Sequence, residues 1–110
     1  MKTFSEKNYK DVVEADKFSL VFFTSKGCHL CIKLKPILKK LEKKYHDINF
    51  YTCDIDNEEK LTKVLVKDDG VPTGFLMKGG SVFKVKDPED PDDDCWYSMK
   101  YLEELIEALQ

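Results

Sequence analysis

The feature that most constrains this chain is a pair of cysteines, Cys28 and Cys31, at the junction between an apolar segment and an amphipathic one. The preceding segment, 18–24, is β-branched, aromatic and nearly continuous in hydrophobicity, which is typical of a strand covered on both faces of a parallel sheet. In the segment 31–45, apolar residues recur three and four positions apart, which predicts a helix with one face in the core. The sequence therefore places the cysteine pair where a buried strand leads into a helix.

The remaining pattern predicts that the sheet changes direction in its second half. A strand–helix–strand order in the first part favours parallel pairing. Beyond it, the segments 73–77 and 81–86 flank Lys78-Gly79-Gly80, a hairpin signal, so these strands should be antiparallel. The chain has the length of one domain, and we predict a single α/β domain over 1–110 with a central mixed sheet of four or five strands flanked by four helices. The other expected elements are a strand at 48–53, a helix at 5–16 capped by Ser5, and helices at 57–66 and 98–109.

Composition excludes several classes of function. The longest clean apolar stretch, Leu20–Phe23, is far shorter than the ~18 residues that a membrane-spanning helix needs. All 18 cationic side chains are lysines, whereas arginine is best suited to forked recognition of phosphate and guanine, so nucleic-acid binding is not expected. The segment 1–6 lacks the basic start and apolar run of a secretory signal, and we therefore expect a cytoplasmic protein.

The position of the cysteine pair predicts redox chemistry. Four cysteines in a cytoplasmic chain indicate catalysis or metal binding before structural bridges, because that compartment keeps thiols reduced. Cys28 is expected at a helix N-terminus, where unpaired amides and the helix dipole favour a thiolate, so it is the expected nucleophile. Cys31, one turn further on, is expected to resolve the mixed disulfide. The neighbouring Lys26 and His29 are expected to stabilise the Cys28 thiolate further.

Further features surround the pair in an order that one known family shows. Pro36 follows Cys31 by five residues and lies inside the predicted helix, where it removes a backbone donor and predicts a kink. The tripeptide Val71-Pro72-Thr73 precedes the hairpin, whose turn is Lys78-Gly79-Gly80. With the C-x-x-C at the helix start, this pattern resembles the thioredoxin family across roughly residues 5–110. Glutaredoxins share the C-x-x-C and the Val-Pro, but the hairpin register fits the thioredoxins better.

This resemblance implies a fold, an activity and a set of site residues. It implies the thioredoxin fold and a thiol-disulfide oxidoreductase that reduces protein disulfides through Cys28 and Cys31, as part of cell redox homeostasis. It also implies that Pro72 is a cis-proline facing the pair, and that the backbone of Val71, with Thr73, pairs with an extended substrate segment. No cofactor is implied. The expected partners are protein disulfide substrates and a disulfide reductase as electron donor, and the protein is expected to be a monomer that binds neither nucleic acid nor membrane.

The chain departs from the family pattern at three places. The usual Trp-Cys-Gly-Pro-Cys is replaced by the sequence of Gly27–Cys31. The redox potential of the family therefore cannot be assigned to this chain. The buried acid that the family places before the motif falls on Phe22, and its lysine partner falls on Thr52. Cys31 must therefore exchange its proton with water or with another group. The segment 87–94 holds six acids and two prolines and is expected to form an exposed loop flanking the active-site groove, either merely solvated or selecting partners with a basic face.

Several alternatives remain open on the sequence. An oxidase or isomerase would use the same cysteines in another direction, and a non-catalytic binding module would use them for metal or for nothing. A closed zinc site needs two more ligands, and no second paired spacing exists among the candidates, which are Cys53, Cys95, His29 and His46. Cys53 is expected to be a small buried hydrophobe. Cys95 is expected to be a plain exposed thiol, with a regulatory or second resolving thiol as the alternative, and Trp96 to cover apolar surface in place of the aromatic residue missing before Cys28.

Overall fold

The computed structural model describes residues 1–110 and has a five-stranded mixed sheet at its centre. The mixed sheet and the four helices confirm the predicted architecture. None of the helices is long and apolar enough to cross a membrane. The strands are β1 (Lys2–Thr3), β2 (Ser19–Thr24), β3 (Asn49–Asp54), β4 (Thr73–Lys78) and β5 (Ser81–Lys84), and the helices are α1 (Tyr9–Glu14), α2 (His29–Lys44), α3 (Glu59–Leu61, continued by a π-helical segment, Thr62–Val66) and α4 (Met99–Ala108).

The sheet changes from parallel to antiparallel pairing at its central strand. Its strand order is β1-β3-β2-β4-β5. Strand β2 is parallel to β3 and antiparallel to β4, and β4 and β5 form the predicted antiparallel hairpin. Phe22 of β2 lies opposite Thr52 on one side and Gly74 on the other. The short edge strand β1 was not predicted, because two residues carry no periodicity.

Strand β2 is buried along its whole length because helices cover both faces of the sheet. Side chains alternate between the two faces of a strand. Leu20 and Phe22 therefore join the core formed with α2 and α4, whereas Val21 and Phe23 join the core formed with α1 and α3. This explains why the sequence of β2 is almost continuously apolar.

Helix α2 has the predicted apolar face and begins at the predicted place. Its buried residues are Cys31, Leu34, Leu38 and Leu41. Pro36 lies inside the helix, with its ring exposed to solvent. The helix starts directly after Cys28, so the cysteine pair occupies its first turn.

The predicted start of the first helix is wrong. Helix α1 begins after Asn8 rather than at Ser5. The Asn8 side chain accepts a hydrogen bond from the Ser5 backbone N–H at 2.8 Å and donates one to the Thr3 carbonyl at 2.8 Å. Asparagine side chains satisfy local backbone groups in this way and so compete with helix formation. Ser5 therefore lies in a turn before the helix and caps nothing.

The third helix is shorter than predicted and widens at its end. It begins at Glu59 rather than Asn57, whose N–H donates to the Asp54 carbonyl in a preceding turn. Further along, the N–H of Lys67 donates to the carbonyl of Thr62 at 2.9 Å. A bond between residues five apart is the π-helical pattern. Hydrophobic spacing over so short a segment did not distinguish this pattern from an ordinary α-helix.

The turn of the β4–β5 hairpin is bonded to the first helix. Gly79 and Gly80 both have positive φ, 58° and 90°, which glycine adopts at little cost. Their N–H groups donate to the carbonyls of Ala15, at 2.9 Å, and Val13, at 2.8 Å. The hairpin turn thus satisfies carbonyl groups at the C-terminal end of α1, which a helix cannot satisfy internally.

Helix α4 closes the core and has a conventional cap. The Ser98 hydroxyl accepts a hydrogen bond from the backbone N–H of Tyr101 at 3.1 Å. Leu102 and Ile106 are fully buried against the sheet, as predicted. Leu105 and Leu109, also predicted to face inward, are only partly buried at the margin of the core.

Candidate functional site

Cys28 is held at the N-terminus of α2 by the first turn of that helix. Its Sγ accepts a hydrogen bond from the backbone N–H of Cys31 at 3.1 Å, so the sulfur itself caps the helix. A helix N-terminus carries partial positive charge and unpaired amides, which favour an anion there. Cys28 is also partly exposed. The site therefore presents an accessible sulfur that accepts a hydrogen bond at the positive end of a helix.

Cys31 differs sharply from Cys28 in its surroundings. Its side chain is only 1% exposed. Burial, together with the hydrogen bond to Cys28, raises the pKa of Cys31 from 9.0 to about 12. One turn of helix thus holds an exposed thiol and a buried, protonated one. All four cysteines of the chain are free thiols in the structure.

The segment before β4 faces the pair. The Val71 carbonyl lies 3.9 Å from Cys28 Sγ, and the Val71–Pro72 peptide bond is cis. The backbone N–H of Val71 donates to no group of the protein. Thr73 is anchored by its hydroxyl, which donates to the Gly70 carbonyl at 2.6 Å. An extended peptide can therefore find an unpaired backbone N–H, and a carbonyl whose one hydrogen bond comes from Cys28 Sγ, beside the partly exposed sulfur.

A groove of about 200 Å³ extends from Val71 along the proline. Cys28 does not line the groove itself, but its Sγ lies 3.9 Å from the carbonyl of Val71, which does. The groove is lined by Val71, Pro72 and Thr73, the three residues predicted to contact substrate, and its other walls include Leu30 of α2, Lys84 of β5, and Asp87 and Trp96 of the β5–α4 loop (residues 85–98).

The Asp87 carboxylate joins two aromatic side chains of the β5–α4 loop. The Oδ1 atom of Asp87 accepts a hydrogen bond from the Trp96 indole N–H at 3.1 Å and another from the Tyr97 hydroxyl at 3.3 Å. Paired backbone hydrogen bonds between Asp92 and Trp96 fold the loop back on itself. Sequence reasoning placed the acidic segment beside the groove but missed the role of Asp87, because spacing alone does not reveal which of six acids accepts hydrogen bonds from aromatic side chains of the same loop.

Lys26 and His29 lie beside the site on its solvent side. Both side chains are exposed, and neither forms a hydrogen bond or ion pair with Cys28. The cation whose charge bears on Cys31 is Lys35, one turn further along the helix; together with a backbone hydrogen bond from Ser25 it partly opposes the rise in the pKa of Cys31. The sequence reasoning missed Lys35, although its helical spacing of four from Cys31 is a usable signal.

Phe22 fills the position in β2 where the family resemblance implied a buried acid. Its side chain is fully buried in the core between β2 and the helices α2 and α4. No carboxylate forms a hydrogen bond with Cys31 Sγ. The surroundings of Cys31 therefore contain no acid positioned to exchange its proton directly.

The two remaining cysteines are both buried. Cys53 is fully buried at the end of β3, which confirms the prediction of a small core residue. Cys95 was expected to be exposed, and this is wrong: its side chain is 5% exposed, and its Sγ donates to the Tyr97 carbonyl at 3.4 Å. The fold of the β5–α4 loop turns this thiol into the core. No group of three or more histidine, cysteine or acidic side chains is arranged to hold a metal ion.

Comparisons with known proteins agree on one family. The family model for thioredoxin matches residues 1–96. The chain is similar to thioredoxin H5 of Arabidopsis thaliana, with 27% identity over 82 residues, which cover 74% of this chain and 68% of that protein. It is also similar to the thioredoxin of Borreliella burgdorferi, with 30% identity over 102 residues, which cover 79% of this chain and 87% of that one. The crystal structure of mitochondrial thioredoxin 3 from Saccharomyces cerevisiae, in its oxidized form, matches with a TM-score of 0.79 and 21% identity, covering 98% of this chain and 94% of that one.

Proposed function

This chain belongs to the thioredoxin family and has its fold and cysteine pair, which make it a thiol-disulfide oxidoreductase, and we propose that it reduces disulfides in protein substrates through Cys28 and Cys31. The observation that carries the proposal is the contrast within one helical turn. Cys28 presents a partly exposed sulfur at the helix N-terminus, whereas Cys31 beside it is buried and protonated. This contrast assigns a different role to each thiol.

The first step is attack by the Cys28 thiolate on one sulfur of the substrate disulfide. A bond forms between Cys28 Sγ and that sulfur, the substrate S–S bond breaks, and the second substrate sulfur leaves as a thiolate that takes up a proton. The thiolate is the reactive form of a thiol, and the N–H of Cys31 stabilises it at 3.1 Å. Because Cys31 is buried, it does not compete for the incoming disulfide.

The second step resolves the mixed disulfide. Cys31 loses its proton to water or to the departing substrate sulfur, since no carboxylate contacts its Sγ. Its thiolate then attacks Cys28 Sγ, forms the Cys28–Cys31 disulfide and releases the second substrate thiol. Two electrons have passed from the protein to the substrate. A disulfide reductase is the proposed donor that returns the pair to the dithiol form.

The segment from Val71 to Thr73, which faces the cysteine pair, is proposed to position the substrate. The unpaired backbone N–H of Val71 and its carbonyl can bond an extended substrate segment as an added strand. Pro72 and Thr73 continue the wall of the groove behind it. We propose that these contacts hold the target disulfide in line with Cys28 Sγ.

A trapping experiment tests the mechanism. Cys31→Ser removes the resolving thiol, so incubation with a disulfide-containing protein should accumulate a mixed disulfide through Cys28, visible by intact mass and reversed by dithiothreitol. Cys28→Ser is the matched control, since it keeps the buried Cys31 and should form no adduct. If Cys31→Ser accumulates no mixed disulfide and wild type reduces no protein disulfide, the chain is a binding module and the proposal is wrong.

The direction of the reaction is tested by redox titration of the wild-type pair. The protein is equilibrated in glutathione or dithiothreitol redox buffers, and the fraction of Cys28–Cys31 disulfide is read by thiol alkylation and intact mass. A midpoint near the ~−270 mV of thioredoxin supports a reductant, whereas one near ~−180 to −120 mV places the protein with isomerases and oxidases and overturns the proposed direction.

A further inference from the structure

The groove beside Cys28 has one aromatic wall, which comes from the β5–α4 loop and not from the residue before the cysteine. The residue before Cys28 is Gly27, which offers no side chain to a substrate. On the other side of the groove, Trp96 is partly exposed and lines the same space as Val71 and Pro72. It is the single tryptophan of the chain. A substrate segment paired with Val71 therefore has the indole of Trp96 as a neighbour.

The indole is held in place by its surroundings. Its N–H donates to Asp87 Oδ1 at 3.1 Å, and its backbone is paired with Asp92 by hydrogen bonds of 2.9 and 3.1 Å. Trp96 also has a φ of 64°, a conformation that non-glycine residues adopt only when their surroundings impose it. The loop thus fixes a large flat side chain in the groove wall.

The groove also carries an uncompensated negative charge. Among the residues that line it, Asp69 forms an ion pair with Lys84 at 3.0 Å. Asp87 accepts hydrogen bonds only from the neutral donors of Trp96 and Tyr97 and pairs with no cation. The groove lining thus contains one lysine and two carboxylates. The depression on the other side of Asp87 adds two lysines and three more carboxylates, which are Lys86, Lys100, Glu89, Asp90 and Glu104.

We infer that Trp96 and Asp87 are specificity-determining residues that favour substrate segments carrying a lysine or arginine next to the disulfide cysteine. The inference rests on the proposed function, since it concerns the substrate that Cys28 attacks. A cation over an indole face gains cation–π attraction, and a nearby carboxylate adds to it. A glutamate at the same position meets repulsion from Asp87 instead. The groove thereby discriminates by charge as well as by backbone pairing.

The test uses three synthetic peptides, each with one disulfide, that differ only in the residue next to a cysteine: lysine, alanine or glutamate. The second-order rate constant for reduction of each peptide by the reduced wild-type protein is measured by chromatography of the released thiol. We expect the lysine peptide to react about tenfold faster than the glutamate peptide, with alanine between them. The preference should shrink as salt is raised, because ions screen the charge of Asp87.

Two variants that each lose one negative charge, Asp87→Asn and Asp93→Asn, show which carboxylate causes the preference for the lysine peptide. Asp87→Asn removes the charge but keeps an oxygen that accepts from the indole, and it should reduce the lysine-to-glutamate ratio about threefold or more. Asp93→Asn lies in the same loop, is exposed and does not line the groove, so it should leave the ratio within about twofold. Trp96→Leu, which keeps an apolar wall but removes the π face, should lower the ratio as well. Thermal unfolding of each variant, followed by circular dichroism, checks that the fold persists.

The outcomes separate this inference from the proposed function. Reduction of all three peptides at equal rates by wild type overturns the inference and leaves the reductase proposal standing. An equal drop in the ratio for Asp87→Asn and Asp93→Asn also overturns it, because the charge of the whole loop would then be responsible rather than the groove. Failure of wild type to reduce any peptide, together with a failed Cys31→Ser trap, overturns both.

Discussion

The ring of Tyr97 packs edge-on against Phe22, with ring centroids 5.3 Å apart and ring planes at 64°. Edge-to-face pairs of this kind are favourable beyond the apolar area that they bury. Phe22 occupies the position for which the family resemblance implied a buried acid, and Tyr97 comes from the loop that also supplies Trp96. The same loop therefore fills part of the core between the sheet and the helices α2 and α4, and also lines the groove at Val71.

Gly74 lies opposite Phe22 in β4 and leaves room for its ring. A Cβ at this position would lie 2.6 Å from the Phe22 ring, so Gly74→Ala should destabilise the protein by about 1–3 kcal/mol through overpacking. The measurement is the free energy of unfolding in urea. Phe22→Leu added to Gly74→Ala should recover part of the loss. Gly27→Ala, where no atom lies within 4 Å of the added Cβ, is the control, and an equal loss there would contradict the packing explanation.

Accessibility should make Cys28 the single reactive thiol of the folded, reduced protein. At pH 7.5 iodoacetamide should label Cys28 on the order of 100-fold faster than Cys31, because Cys31 is buried and its pKa is raised to about 12. Cys53 and Cys95 should also be protected, since both are buried. Peptide mapping of the alkylated protein gives the answer, with a urea-unfolded sample as the reference for labelling of all four thiols. Fast native labelling of Cys95 would contradict the structure of the β5–α4 loop.

Burial of Cys53 should make the fold sensitive to alkaline pH. Desolvation raises the pKa of Cys53 from 9.0 to about 12, so the folded chain holds this proton after the unfolded chain has lost it. The contribution of the Cys53 thiol to the free energy of unfolding is therefore complete below pH 9 and is lost as the pH rises from 9 towards 12. Between pH 8 and pH 10, wild type should lose about 1 kcal/mol more of its unfolding free energy than Cys53→Ala does. Urea titrations of both proteins at both pH values measure this difference, and equal losses would show that the thiol does not titrate on unfolding.

Helix capping provides a direct comparison of two serines. Ser98 caps α4 through its hydroxyl, so Ser98→Ala should cost about 1 kcal/mol of unfolding free energy. Ser5, the cap that the sequence suggested for the first helix, caps nothing in the structure, and Ser5→Ala should change stability by less than about 0.5 kcal/mol. Thermal or urea unfolding distinguishes the two. A larger loss for Ser5→Ala than for Ser98→Ala would reverse the assignment.

The central parts of the fold could be predicted from the sequence because their patterns are strong and local. The nearly continuous run of apolar residues located β2, three- and four-residue spacing located α2, and the glycines of the turn located the hairpin. Cys28 could be placed at the helix N-terminus for the same reason, since a strand signal ends just before it and a helix signal begins just after it.

The parts that could not be predicted depend on contacts between distant residues or on competing local hydrogen bonds. Asn8 displaced Ser5 from the start of α1 by bonding the backbone of the preceding turn. The burial of Cys95 and the hydrogen bonds that Asp87 accepts from Trp96 and Tyr97 follow from how the β5–α4 loop folds back, which composition does not encode. A run of acids predicts a solvated loop, but it does not reveal which of the carboxylates accepts hydrogen bonds from neighbouring side chains.

The bonding of the hairpin turn to α1 has a consequence for engineering the protein. Gly79 and Gly80 lie at an exposed turn, the kind of place usually chosen for a tag or a reporter sequence. Both of their N–H groups, however, serve the carbonyls of Val13 and Ala15. An insertion between the two glycines would remove both donors from the end of α1 and would disturb an edge strand and a helix together. This turn, although exposed, is a poor site for insertion.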